Sequence, residues 1–204
     1  MFVHIRVSDV INVAPGKFGQ DYRAAISDRI GDKYVGKIMP KPVNGLVIAL
    51  FQLEKVGDGE SNTGYIFPGD GQTFFGDVSY KVVFTLVVFR PRLNELFTGK
   101  IVRSDAGGVL VDIGFAEIHV PPGLMMPPSV YDEISKVWAW QFQCEDDEGV
   151  NLFYNMGQDI RVRIAKCDFK LAQREDVKHQ NIKMQLVGAC DTDGLGMLSW
   201  WNES

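Results

Sequence analysis

Cysteine and histidine are both scarce, with three of each in 204 residues. Cys144, Cys167 and Cys190 stand far apart, and none belongs to a Cys-x-x-Cys pair. Neither a disulfide framework nor a zinc site is expected, so the thiols read as small buried or half-buried groups in a reducing compartment. No apolar run reaches the roughly 18–20 residues needed to cross a bilayer as a helix, and no membrane partner is expected. The start, Met1-Phe2-Val3-His4-Ile5-Arg6, lacks the basic flank, apolar stretch and small-residue cleavage site of a secretory signal. The expectation is residence in the cytosol or nucleus. An excess of one charge is missing as well. Residues 1–90 carry ten Lys/Arg and nine Asp/Glu, residues 91–204 carry eleven and seventeen, and the whole chain has a net charge of −5. Neither part is a basic clamp for a polyanion, so any nucleic-acid contact is expected to be local and modest.

Motifs of catalysis are lacking too. There is no phosphate loop of the Gly-x-x-x-x-Gly-Lys-Ser/Thr type and no Gly-x-Ser-x-Gly elbow. Gly57-Asp58-Gly59 and Gly69-Asp70-Gly71 lack a following helix and lysine, and read as turns. His4, His119 and His179 are isolated from one another in the sequence. The acidic stretch Glu145-Asp146-Asp147-Glu148-Gly149 lacks the alternating ligands and fixed glycine of a calcium loop and reads as a solvated turn. No aspartate cluster of the kind that holds magnesium for phosphoryl transfer is visible. The chain reads as non-enzymatic, without cofactor or metal.

What is present is an ordinary globular composition, 46% hydrophobic and 23% charged, long enough for one large or two small domains. Val3, Ile5, Val7 and Ile11 alternate as in a strand. Phe18, Tyr22, Ile26, Ile30, Tyr34 and Ile38 then recur every fourth residue, which predicts an amphipathic helix with Asp21 near its start and Lys33 and Lys37 near its end. Leu46–Phe51 and Val78–Phe89 read as strands. Residues 1–90 are therefore expected to form a small α+β domain, one helix packed on a small antiparallel sheet.

After Pro91 the helical period disappears. Strands are expected at Glu95–Arg103, through Val109, Val111 and Ile113, at Glu117–Val120, through Trp138, Trp140 and Phe142 with a hairpin partner at Leu152 and Tyr154, through Ile160, Val162 and Ile164, and from Ile182. Lys166–Asn181 reads as a polar loop. Many short strands with regular turns indicate an all-β barrel or sandwich over residues 91–204.

The residues Glu95–Val102, Gly108–Gly114 and Glu117–Val120, ending in Ile118-His119-Val120, resemble the opening of an S1-type OB domain, a five-stranded barrel that often binds oligonucleotides. The N-terminal strand, the helix, the run Leu46–Phe51 and the Val88-Phe89-Arg90-Pro91 ending together resemble the stalk subunits of cellular RNA polymerases. Three segments point to the polymerase III branch of that family: Tyr65–Gly71, Val137-Trp138-Ala139-Trp140, and Gly194–Trp201. One departure is that Asp168–Asn181 is short and of mixed charge, where relatives can carry a longer acidic, Ser-rich insertion.

The resemblance implies a first domain that docks on the polymerase core and a second that projects near the emerging transcript. It further implies a heterodimer with a small helical partner, contact with initiation factors, weak binding of nascent single-stranded RNA, and a nuclear location. The stalk would support initiation of short untranslated transcripts. Lys100 and Arg103 on the first barrel strand and His119 on the third match positions that face the oligonucleotide groove in S1-type domains. Arg161, Arg163 and Lys183, with Gln185, alternate with inward apolar residues and extend this into a modest basic stripe. Trp138, Trp140 and Phe142 form either a stacking platform or a buried surface, and burial is the favoured reading. Trp200 and Trp201 are expected to pack on the first domain or on a partner. Phe67, Pro68, Phe74 and Phe75, in a Gly-rich context, are the candidates for docking on the core. Rival readings are the equivalent subunit of polymerase II or I, and a free-standing S1-type RNA-binding protein.

Overall fold

The computed structural model describes residues 1–19, 21–57, 77–143, 149–171 and 182–201. The chain divides into two units, Met1–Arg90 and Pro91–Ser204.

In the first unit, β1 (Phe2–Val13), α1 (Tyr22–Tyr34), β2 (Ile38–Met39), β3 (Gly45–Val56) and β4 (Val78–Phe89) follow in chain order. The strands form one antiparallel sheet in the order β1-β4-β3-β2. β1 pairs with β4 without a register shift, from Phe2 opposite Phe89 to Val13 opposite Val78. β3, by contrast, pairs with β4 through shifts at Val47/Ala49, Leu50/Gln52 and Leu53/Lys55. Side chains alternate between faces along a strand. The odd residues of β1 and the even residues of β4 therefore share the face that α1 covers. Ala25, Ile26 and Ile30 of the helix bury there against Ile11, Val13, Val82, Phe84, Leu86 and Val88. Each fully buried side chain of this size contributes about 1.5–3 kcal/mol.

The helix is shorter than its apolar period predicts. It starts where Asp21 caps it, the carboxylate accepting from the Arg23 amide at 3.2 Å, as the orphan donors of a first turn require. Phe18 lies before the helix and is 51% exposed. At the other end Val35 is extended, and the Lys37 ammonium donates to the carbonyls of Lys33 and Asp32 at 2.8 and 3.0 Å. Ile38 already belongs to β2.

The second unit holds β5 (Leu96–Asp105), β6 (Gly108–Asp112), β7 (Glu117–Val120), β8 (Ser129–Asp132), β9 (Val137–Phe142), β10 (Val150–Phe153), β11 (Asp159–Leu171), β12 (Ile182–Ala189) and β13 (Gly196–Met197). β5 pairs with β6, β6 with β7, β7 with β12 in parallel, β12 with β11, and β11 with β5. These five strands thus close a circuit. Ile101, Val109, Val111, Ile118, Val120, Ile160, Val162, Ile164 and Leu186 are buried and form its core. Gly108 has φ +126°, and the Val120 carbonyl lies where a side chain would begin. The turn from β5 into β6 therefore has room only for glycine.

Three sequence readings need correction. Lys166–Asn181 is not a loop throughout, because β11 continues to Leu171 and β12 starts at Ile182. A register shift between Ile164 and Lys166 breaks the alternation, and this break made β11 seem to end. β8 had no sequence signal, since Ser129-Val130-Tyr131-Asp132 is short and weakly apolar. The Trp138 strand and its hairpin partner do not join the circuit, but form a separate sheet in the order β10-β9-β8.

In the first unit, Asp9 accepts hydrogen bonds from the Lys33 ammonium and the Tyr34 hydroxyl, both at 2.6 Å. Partial burial pushes the Asp9 carboxyl up, but bonds from Lys33, Tyr34 and the Val10 amide, with the Lys33 charge, outweigh it and hold the group below its usual value. A carboxyl lowered in the folded state stabilises fully above its unfolded pKa of about 3.9, and that contribution is lost as pH falls through the folded value. Urea unfolding of the full chain between pH 6 and pH 3 is therefore expected to show a steeper loss of stability for the wild type than for Asp9→Asn. Parallel curves would show that the Asp9 cluster carries no such linkage.

Candidate nucleic-acid interface

Cross-strand partners in a sheet share a face. In the five-strand circuit, Arg103 on β5 stands opposite Leu110 on β6, Leu110 opposite His119 on β7, His119 opposite Val187 on β12, and Val187 opposite Lys166 on β11. The register thus strings Arg103, His119 and Lys166 along one outward row, with the half-buried Leu110 and Val187 between them. Cations separated by small apolar surfaces can hold phosphates while bases rest between them.

The His119 ring contributes in a defined orientation. Its Nε2 lies 3.1 Å from the Gly107 carbonyl oxygen, which only accepts, so Nε2 donates there and Nδ1 is left as the ring's acceptor. Arg103 pairs through Nε with Asp105 at 3.2 Å, and Lys166 through Nζ with Asp168 at 2.7 Å. Both cations are about two-thirds exposed. Exposed pairs of this kind are worth about 0–1 kcal/mol, so a phosphate competes for either cation at little cost.

The other candidate cations are placed differently. Lys100 is exposed but stands opposite Asp112 on β6 and Asp159 on β11, with Glu117 next in the same row. Its field is therefore largely offset by carboxylates. Arg161 is exposed opposite Thr98. Arg163 is committed within the chain, donating to Asn94 Oδ1 at 2.9 Å and to Asp191 Oδ1 at 2.8 Å. Lys183 is exposed on β12, on the face it shares with Gln185 and Val187. Lys166 is the residue that sequence reasoning missed, because the register shift puts it, and not Ala165, on the outward face beyond Arg163.

The aromatic candidates meet one another inside this unit. Trp138 and Trp140 are 6% and 8% exposed, while Phe142 is 39% exposed. The Trp138 indole donates to the Asp105 carbonyl at 2.8 Å and the Trp140 indole to the Pro127 carbonyl at 3.2 Å. Trp140 packs against Phe142, Trp200 and Trp201, with centroids 5.0, 5.4 and 6.4 Å apart. Trp200 also meets Tyr154 edge-on at 4.8 Å. The Trp201 indole donates to the Leu195 carbonyl at 2.9 Å. Trp138 and Trp140 are thus buried, with polar tips satisfied, and offer no open stacking platform.

The tail is held by β13, where Met197 pairs with Ile160 and Gly196 with Arg161. Gly196 has φ +89°, and the Trp200 ring lies where its side chain would begin. Tyr154 anchors the other side of this cluster. Its hydroxyl accepts from the Met126 amide at 3.2 Å and lies 3.7 Å from Cys190 Sγ. Burial pushes the Cys190 thiol up to about 11 and the Cys167 thiol likewise, so both stay protonated and unreactive near neutral pH. Phe67, Pro68, Phe74, Phe75, Cys144, the acidic stretch 145–148 and His179 lie outside the described residues.

Gly196→Ala must strain the backbone and displace Trp200. The variant is expected to lose about 1–3 kcal/mol of stability, read as an earlier urea midpoint followed by tryptophan fluorescence. A variant as stable as the wild type would show that Trp200 is not seated on Gly196.

Comparison with known proteins supplies the relatives. Residues 95–182 match the family described as RNA polymerase III subunit Rpc25. Residues 8–71 match the SHS2 domain found in N terminus of Rpb7p/Rpc25p/MJ0397. The chain is 31% identical over 218 residues to DNA-directed RNA polymerase III subunit RPC8 of Bos taurus, an alignment that covers 100% of both chains. It is 29% identical to the corresponding subunit of Schizosaccharomyces pombe, over 98% of this chain and 100% of that one. An archaeal relative, subunit Rpo7 of the DNA-directed RNA polymerase of Saccharolobus shibatae, is more distant, with 25% identity over 56% of this chain and 57% of its own. Similarity that runs through both units and spans the relatives end to end places the chain in the RPC8 family of DNA-directed RNA polymerase III subunits.

Proposed function

We propose that this chain serves as the stalk subunit of a nuclear DNA-directed RNA polymerase III, without a catalytic site of its own. The observation that carries the reading is the end-to-end similarity to the bovine RPC8 subunit. In this reading residues 1–90 dock on the polymerase core, and a small helical subunit packs alongside to form a heterodimer. The complex supports initiation on genes for short untranslated RNAs and receives initiation factors at the stalk.

Residues 91–204 act as an S1-type OB barrel. What supports this is the circuit of pairings β5-β6-β7-β12-β11, with a single parallel pair between the third and fifth of its strands. An OB barrel is a five-stranded, partly open Greek-key barrel. The ligand that suits its outward row is single-stranded RNA, held weakly and without sequence preference by Arg103, His119 and Lys166. Base-edge readout needs fixed donors and acceptors on rigid neighbours, whereas this row offers two long cations, one ring and apolar surface between them.

The assembly is tested by purifying the tagged chain from its own cells at moderate salt. Recovery of the polymerase III large subunits with one small helical protein is expected; recovery of ribosomal or RNA-decay proteins without polymerase would overturn the reading.

RNA binding is tested by fluorescence anisotropy on a labelled single strand. Arg103→Glu with Lys166→Glu is expected to weaken binding by about tenfold or more and to flatten the salt dependence, since each phosphate contact contributes about −0.7 to the log–log slope. Arg163→Glu is expected to leave the slope unchanged while lowering the unfolding midpoint, because Arg163 is tied to Asp191 and Asn94. The reverse pattern would move the RNA site to the β5–β11 side.

A further inference from the structure

Beside the outward row of Arg103, Leu110, His119, Val187 and Lys166 runs a second row. Asp159 on β11 stands opposite Lys100 on β5, Lys100 opposite Asp112 on β6, and Asp112 opposite Glu117 on β7. On the far side Gln185 of β12 stands opposite Asp168 of β11. These positions hold four carboxylates and one ammonium. Asp112, Glu117 and Asp168 each lie two residues along the strand from a member of the first row, a separation of about 7 Å.

The first row is cationic only at its ends. Arg103 and Lys166 are four strand-to-strand steps apart, about 19 Å along the surface. Between them come two apolar side chains, Leu110 and Val187, and the His119 ring. Against that middle stretch stand Asp112 and Glu117. Glu117 is exposed. Asp112 is half-buried, and its Oδ1 accepts from the Gly114 amide at 2.8 Å, which fixes the carboxylate in place. Lys100 faces Asp112 and Asp159 at once, so one ammonium serves several carboxylates and leaves the second row negative.

A phosphate over the middle of the first row therefore meets two carboxylates within the screening distance of about 8–10 Å at physiological salt. One carboxylate at about 7 Å changes the affinity for a phosphate by about threefold in high dielectric. A single strand escapes this repulsion. It sets one phosphate at Arg103 and another at Lys166, lays unpaired bases on Leu110, His119 and Val187, and turns the intervening phosphates to solvent. A duplex has no such freedom. Its bases are paired inward, its shape is fixed, and both backbones carry a phosphate at every step, so phosphates fall over the middle stretch as well as its ends.

We propose that Asp112 and Glu117 are specificity residues of the RNA site, which confine RNA to the Arg103–Lys166 track and reject paired RNA. The two carboxylates bind nothing themselves; they act by repulsion at the place where only a duplex must put phosphates. This rests on the reading of residues 91–204 as an RNA-binding barrel, and goes beyond it by assigning the choice between single strand and duplex to two acidic side chains. With phosphates held only at the two ends, the log–log salt slope for a single strand is about −1.4.

The test is fluorescence anisotropy of the full chain at low salt with two labelled probes. One is an unstructured mixed-sequence RNA of about twelve nucleotides, within the range that one OB fold covers, and the other is the blunt duplex it forms with its complement. The wild type is expected to bind the duplex at least about tenfold more weakly than the single strand. Asp112→Asn with Glu117→Gln keeps the shape of both side chains and leaves an oxygen for the Gly114 amide. This variant is expected to narrow the ratio of the two affinities by at least about threefold, through tighter binding of the duplex. Glu117→Gln alone, at an exposed side chain, is expected to give part of that change, and it decides should the double variant fold poorly. Glu133→Gln removes the same charge from the exposed turn between β8 and β9 and is expected to leave the ratio unchanged. A wild type that binds both probes alike, an unchanged ratio in folded Glu117→Gln, or the same shift in Glu133→Gln would overturn the proposal and leave the RNA reading standing. Failure of the wild type to bind either probe would instead overturn the RNA reading, and the proposal with it.

Discussion

The second unit depends on one strand having three partners. β11 meets β5 along Asp159–Arg163 on one side, and on the other meets β13 at Ile160–Arg161 and then β12 from Arg163 to Leu171. A sheet closes on itself only if one strand can serve both ends of the series, and β11 does so by being long and by shifting register at Ile164/Lys166. The inward side chains Ile160, Val162 and Ile164 then fill the interior of the circuit. The same shift turns Lys166 outward into line with Val187, His119, Leu110 and Arg103. Closure of the core and composition of the outer row are thus two consequences of one irregularity.

The aromatic tail is a second consequence of the way β11 is shared. After β12 the chain leaves the sheet and returns to the same side of β11 as β13. That return delivers Trp200 and Trp201 onto Trp140 and close to Tyr154. Large rings meeting at offset or edge-on angles gain beyond their buried area, and each indole of Trp138, Trp140 and Trp201 has found a carbonyl. The β8–β10 sheet, which is not part of the circuit, is thereby tied to Trp200 and Trp201. Glycine at 196 is the condition for this packing, since the ring of Trp200 occupies its side-chain space.

Electrostatics sets the strength of what the outer row can do. The residues beyond Pro91 are acidic on balance, and the row next to Arg103 and Lys166 carries Asp112, Glu117 and Asp159 around Lys100. Among the described residues a polyanion therefore has one narrow favourable track and not a broad basic face. Interactions of that kind are screened over about 8–10 Å at physiological salt, so any contact along the track weakens as salt rises.

The sequence by itself determined which segments are helix, strand and turn wherever one face of an element is buried, because burial writes a period into the residues. The helix around Ile26 and Ile30, the strands around Phe84, Val109 and Ile160, and the membership of the RPC8 family were legible in that way or through motifs such as the Gly-Leu-Gly-Met tail. The burial of Trp138 and Trp140 was legible as the more favourable of two readings. Only the tertiary structure decided what lies opposite what. A register shift leaves no mark on composition, so Lys166 was hidden, Lys100 could not be seen to face carboxylates, and Arg163 could not be seen to be spoken for by Asp191. A strand such as β8, held by its neighbours and not by its own apolar pattern, was invisible for the same reason. Local periodicity follows from covalent spacing along one chain, whereas register and edge exposure exist only between strands that folding brings together.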